Sequence, residues 1–184
     1  PRLTAVQRDA IPTPVEGLMI YNTSSKKPNY YSGIEWKNFD GSGAYAIGDN
    51  YQGGIIAYIL QPGDPGYIAN VTHGLIAAAA DQSTGAQWGC YGTVITGADG
   101  TDLGTGIQNT MDIMAGCTTA GIAARLCGDL VLNGYNDWYL PSKDELNILY
   151  INQVAVGGFS SNVYCSSSEF NDSNAWTKRF TDGF

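Results

Sequence analysis

Residues 134–146, GYNDWYLPSKDEL, narrow what this chain can fold into more than any other stretch. They set a turn, a short extended segment and a helix start in immediate succession. Gly134 and Asn136-Asp137 are turn formers. Trp138, Tyr139 and Leu140 predict a short buried strand, because aromatic and bulky residues suit a half-buried pleated surface. Ser142 stands three residues before Glu145. At that spacing a serine hydroxyl and a glutamate carboxylate cap each other's backbone donors. The helix predicted over 142–150 puts Leu146, Leu149 and Tyr150 on one face.

Short strands and helices mix along the rest of the chain. Residues 54–60 are a near-continuous apolar run, the mark of a buried strand, and 74–80 are a second, Ala-rich one. The QPGDPG stretch between them is a turn cluster. A Gly-rich loop follows over 85–104. Thr105 and Gln108 repeat the capping spacing and predict a helix over 105–114, with Ile107, Met111 and Met114 marking its face. A second helix is expected over 119–132, with Ile122, Ala123, Leu126, Cys127 and Leu130 inward and Gly134 as its stop. Final strands are predicted at 163–166 and 176–181. Periodic helices flanked by short strands indicate an α+β fold.

Residues 1–40 differ in texture. PRLTAVQRDAI is a short polar helix candidate, and GLMIYN, PNYYSG and IEWKNF read as a small β-meander. Its apolar residues, Leu18, Ile20, Tyr30, Tyr31 and Trp36, are too few for so small a sheet to bury itself. The segment is therefore expected to pack against the next domain or against copies of itself, with a homotrimer as the first expectation. Residues 41–50 read as a linker, and 51–184 as the second domain.

Composition excludes some partners. The net charge is −8, which argues against nucleic acid and anionic membrane surfaces, because phosphate neutralisation needs Lys and Arg. No apolar run reaches the roughly 18 residues of a membrane span. Twenty-four glycines point to a loop-rich domain, and 12 tyrosines suit a recognition surface, since such rings supply contact area at low entropic cost. Core packing competes for the same aromatics. With Pro1 in place of Met, a processed product or a fragment is expected. His73 is the only histidine. A catalytic triad or a His-rich metal site needs more partners, so it reads as a hydrogen-bonded structural residue. Ser166, Ser167 and Ser168 lack a GxSxG elbow and read as satisfying backbone groups around a buried strand end.

The run GYNDWYLPSKDELNILY also resembles the signature of the Lcl C-terminal domain family (DUF1566). Upstream, GGIIAYIL, HGLIAAAADQS, QWGCYGTVITGADGTDLGTGIQNT and GCTTAGIAARLC continue the likeness, and VYCSSSEFNDSNAWTKRFTDG continues it downstream. It covers residues 53–183, with Cys165 where the family usually has Trp. The resemblance implies a C-type-lectin-like fold, an extracellular setting on bacterial surfaces or phage fibres, and a non-enzymatic binding role. Residues 1–40 resemble a segment recurrent in Bacteroidetes surface proteins and phage tail fibres. Family members run on into one further strand, so the strand at 176–181 is expected to lie at an open sheet edge.

For an exported chain a disulfide is expected. Cys90, Cys117, Cys127 and Cys165 contain no CxxC pair, which disfavours zinc. Cys90 and Cys117 both sit beside Gly in loop-like sequence and are the preferred pair; Cys117 with Cys127 is the alternative. Two clusters carry calcium-type oxygen donors: Asp99 and Asp102, and Asn133, Asn136 and Asp137. Neither matches an EF-hand, the EPN and QPD sugar-binding triplets are absent, and Asx-turns are the competing reading. Trp88, Tyr91, Asn171, Asn174 and Trp176 are the surface candidates for recognition. The main expectation is a binding module for a glycan or a surface protein, with no cofactor beyond that calcium question. The alternative is a structural subunit of an extracellular filament, assembling through its N-terminal segment and open sheet edge.

Overall fold

The computed structural model describes residues 1–160 and 162–184. The N-terminal elements are β1 (Arg2–Leu3), α1 (Ala5–Asp9), β2 (Met19–Asn22), β3 (Lys27–Tyr31) and β4 (Trp36–Asn38). Then come β5 (Asn50–Tyr51), β6 (Gly54–Ile59), β7 (Gly74–Ala77), α2 (Gly106–Gly116) and α3 (Ala123–Gly128). The last are α4 (Lys143–Ile151), α5 (Gln153–Val156), β8 (Val163–Asn171) and β9 (Asn174–Arg179). The architecture is α+β, with three small sheets ordered β1-β2-β3-β4, β5-β6-β7 and β8-β9. Only β1 and β2 pair in parallel within these sheets.

The first sheet alternates by residue. On β2, Ile20 and Asn22 point inward while Met19 and Tyr21 point out. Ile20, Trp36 and Ala44 form its core, with Leu3, Leu18 and Tyr31 packed against them. α1 closes over this core. Thr4 caps it by accepting from Gln7 N–H, and Gln7 returns the bond to Thr4 N–H. Arg8 on α1 is only 1% exposed. Its Nε lies 2.7 Å from Asp9 Oδ1, and it donates to Asn29 Oδ1 and the Ala44 carbonyl. Its guanidinium also lies 4.8 Å from the Tyr45 ring centre and 5.9 Å from that of Trp36. A buried cation is tolerable only with such a set of partners.

The meander therefore buries one of its faces within its own segment, where the sequence reading expected the next domain or copies of itself to cover it. The material it lacked comes from α1 and from residues 41–50. That stretch folds back rather than hanging free: Ala44 N–H donates to Trp36 O, and Asn38 Nδ2 donates to Gly43 O. Glu35 then links the first sheet to the following domain by accepting from Thr72 N–H at 3.1 Å while pairing with Lys37. Burial alone would raise the Glu35 pKa. The bonds from Lys37 and Thr72 outweigh it and hold the carboxyl below its ordinary value.

Beyond residue 51 there are two further apolar clusters. Ala57, Ala77 and Val156 join β6, β7 and α5. Ile95, Ala98, Ile113, Cys117, Ile122 and Ala124 knit the long loop to α2 and α3. Helix α4 matches the expected position and buries Leu146.

Five local expectations are corrected. The inward face of α2 is Gly106, Asn109, Thr110 and Ile113, while Ile107 and Met111 are exposed. Polar residues take the inner face because the neighbouring backbone needs hydrogen-bond partners: Asn109 Nδ2 donates to Gly100 O, and Thr110 Oγ1 accepts from Leu140 N–H. Thr105 does not cap α2 with its side chain; its hydroxyl donates instead to Asp102 O. Helix α3 is shorter than 119–132 because Gly121 turns at φ +74° before it and the helix stops at Gly128. Gly134 belongs to an Asn-Gly turn instead, with Asn133 at φ +53° and Gly134 at +87° between bridged Leu132 and Tyr135. Residues 138–140 are not a strand, since Leu140 N–H goes to Thr110 rather than to a sheet neighbour.

Two stability tests follow. Arg8→Ala strands the buried Asn29 and Ala44 acceptors and lowers unfolding free energy by on the order of 3 kcal/mol, measured by urea denaturation. The Glu35 carboxyl titrates below its unfolded value of 4.5, so its stabilisation is present above that pH and is lost as pH falls through the folded pKa. Acidification from about pH 7 to about pH 3 should therefore destabilise the native chain more than Glu35→Gln; equal losses in the two proteins refute that role.

Candidate functional site

The loops of the second domain are organised from one helix start. Glu145 is 1% exposed. Its carboxylate accepts from Ser142 N–H at 2.8 Å, Gly104 N–H at 2.8 Å and the Tyr139 hydroxyl at 3.3 Å. Ser142 Oγ accepts from Glu145 N–H and donates to Asp102 O. The capping box thus serves α4 and also holds the loop before α2. Gly106 lies so close that any side chain there meets Glu145 Oε2, the Ser142 amide and the Tyr139 ring. Burial, then the charge of Glu145 beside it, pushes the Tyr139 phenol well above its ordinary value.

A second joint is the serine run. Cys165 pairs with Thr177 and Glu169 with Ala175, so β8 advances four residues while β9 advances two. This bulge carries Ser166, Ser167 and Ser168, all 0% exposed. Freed from the ladder, Ser167 N–H donates to Pro141 O, while Ser168 Oγ donates to Gly100 O and accepts from Lys143 N–H. The three serines satisfy backbone groups, as their context suggests. Glu169 accepts from Ile95 N–H through both carboxylate oxygens, and burial raises its pKa despite that bond.

The candidate recognition residues separate into three places. Trp88 is half-buried against the α2–α3 core rather than presented to solvent. Tyr91 is 83% exposed on the loop anchored by the Cys90–Cys117 disulfide, whose Cα atoms lie 5.5 Å apart. Gly92 N–H donates to Asp172 O, which brings Tyr91 beside the β8–β9 turn. Asn171 and Asn174 lie in that turn, and the amide of Asn174 donates to Asn171 Oδ1. They are surface residues engaged in building the turn. Trp176 is on β9, where Phe170 meets it edge-on at 4.9 Å and Lys143 Nζ lies 4.3 Å from its ring centre. A groove of about 390 Å³ runs past it, bounded by Lys143, Asp144, Asn147, Lys178 and Phe184.

Sequence reasoning missed the partners of Trp176, because Lys143 is 33 residues away and no local pattern links them. It also missed a cavity of about 610 Å³ between β7, α3, α4 and β8, walled by Leu126, Trp138, Leu149, Phe159 and Tyr164. Cys127 and Cys165 line it as free thiols. Burial, with Cys165 nearby, pushes Cys127 up to about 12, and burial raises Cys165 as well, so neither is a ready thiolate.

The calcium-type clusters lie in loops. Asp99, Asp102, Asn136 and Asp137 are exposed, and Asn133 Nδ2 donates to Gly53 O. Among the described residues, no three or more His, Cys, Asp or Glu side chains gather into a metal-holding group. His73 is exposed; its carbonyl accepts from Leu60 N–H. No helix among the described residues is long and apolar enough to cross a membrane. Among the described residues, strand β9 pairs with β8 on one side only, which makes it an edge of that two-stranded sheet.

Residues 1–51, the first sheet and the return stretch behind it, match a family model described as a phage tail like trimerisation region. No curated protein and no solved structure matches the chain.

The disulfide closes a separation of 27 residues. On the chain-entropy relation it contributes about 3–4 kcal/mol. Cys90→Ser with Cys117→Ser should lower the denaturation free energy by that order. Peptide mapping of the native protein should find Cys127 and Cys165 as the alkylatable thiols once it is unfolded.

Proposed function

We propose that the chain is a structural subunit of an extracellular or phage-type fibre, trimeric through residues 1–51 and carrying the α+β domain beyond them. The trimerisation-region match carries this reading. The architecture supports it: most of the matched residues form a sheet with its own core, tied to the rest through Glu35 and Thr72 and through β5, which pairs with β6. On this reading the chain is a homo-oligomer, and the second domain is held in three copies. Its work is structural and non-catalytic. The serine run is committed to backbone hydrogen bonds, and the single imidazole stands at the surface.

Recognition of a glycan or a surface protein is the second reading, favoured by one local arrangement. Trp176 and Phe170 offer an aromatic platform with Lys143 above it, next to an open groove. The resemblance of residues 53–183 to the Lcl C-terminal domain family, and the C-type-lectin-like fold that it implies, point the same way. Three copies on one stem would add avidity to a weak site.

Light scattering on the full chain tests the first reading. It should give three times the chain mass across micromolar concentrations; a monomer mass defeats it. Glycan-array binding by the native chain, reduced at least tenfold by Trp176→Ala, would support recognition; equal binding by both proteins removes Trp176 from it.

A further inference from the structure

The core of the first sheet occupies only one of its faces. On the opposite face Met19, Tyr21, Tyr30 and Phe39 stand together. Met19 opposes Tyr30 and Tyr21 opposes Pro28 in the β2–β3 register. Phe39, just past β4, meets Tyr30 edge-on at 5.9 Å. Met19 and Phe39 are 57% and 59% exposed, although the whole sheet is four short strands. A sheet this small keeps large apolar residues on its outer face at a cost in solvation that burial against another surface recovers.

The charges around the patch narrow the partner. Arg2 lies over the Tyr21 ring at the β1 side, 5.3 Å from its centre, and Lys37, which opposes Tyr30 on this same face, is neutralised by its pairing with Glu35. The apolar middle therefore carries no unpaired charge. Identical faces can meet there, whereas a charge near a symmetry axis would face its own copies. The sheet edges offer less. β4 is already bridged at Lys37 by Gly43, and β1 is two residues long. The inner face is closed by α1 and Arg8.

We propose that this outer face is the surface through which three copies of the chain associate, with Met19, Tyr30 and Phe39 meeting their counterparts around a three-fold axis. The inference rests on the trimeric reading of residues 1–51 and names its contact. Face-to-face apolar packing, rather than strand addition at an edge, then holds the stem together.

Sedimentation and light scattering on the full chain decide it. The native chain should be a trimer, and Met19→Glu a monomer at the same concentration with an unchanged near-ultraviolet circular dichroism spectrum. Met19→Ala, which leaves an exposed position uncharged and the sheet intact, should weaken association at least tenfold. Ile34→Glu, on the β3–β4 turn and 66% exposed, should leave the trimer unchanged. A native trimer that survives both Met19 substitutions overturns this surface while the trimeric reading stands. A trimer broken only by Ile34→Glu overturns it too and moves the contact to the turn. A native monomer overturns the trimeric reading and this surface with it, and leaves the face to a partner of different sequence.

Discussion

The buried carboxylate of Glu145 is the interaction on which the second domain depends. Burying an ionised carboxylate costs heavily unless hydrogen bonds replace its water. Here two backbone amides and a phenol do so. The consequences spread outward. The cap starts α4, the bond to Gly104 fixes the loop entering α2, and Ser142 holds Asp102. Lys143 and Pro141, on either side of the cap, then engage the serine bulge of β8. A long Gly-rich loop with little secondary structure of its own becomes an ordered wall by this route. The wall presents Tyr91, the β8–β9 turn and, flanking that turn, the Trp176 platform.

Arg8 plays the corresponding part in the first sheet. A four-stranded sheet of very short strands has little apolar surface to bury. The guanidinium answers this by joining α1, β3, β4 and the return stretch through Asp9, Asn29, Trp36, Ala44 and Tyr45. The result is a one-sided module, with its inner face closed by its own chain and its outer face apolar and open. One-sidedness is the property that suits a segment made to associate. The same division of labour separates the two halves of the molecule. On the proposed reading, association belongs to residues 1–51, and the domain beyond them is carried by that stem.

Local chemistry was legible in the sequence wherever a short-range rule governs it. The capping pair Ser142 and Glu145 placed α4, because both partners lie within one helical turn. The apolar runs at 54–60 and 74–80 placed β6 and β7, since strands packed inside a domain leave a near-unbroken apolar record. The Gly-flanked cysteines pointed to Cys90 with Cys117, which the structure joins. The same rules misled where a tertiary demand overrode them. Trp138, Tyr139 and Leu140 have strand composition, yet the neighbouring Thr110 takes the Leu140 amide. Ile107 and Met111 have helix-face spacing, yet α2 turns Asn109 and Thr110 inward to supply hydrogen bonds to the loop.

The sequence by itself determined the class of fold and the segments able to become helix or strand. Each of these is written in spacing within a few residues. Only the tertiary structure decided which side chains share a surface. Arg8 becomes a core residue through groups as distant as Tyr45, and Lys143 reaches Trp176 across 33 residues. Trp88 packs inward while Tyr91, three positions on, is exposed. Burial of a charge or an aromatic ring depends on partners gathered from the whole chain, and the linear pattern carries no record of who those partners are.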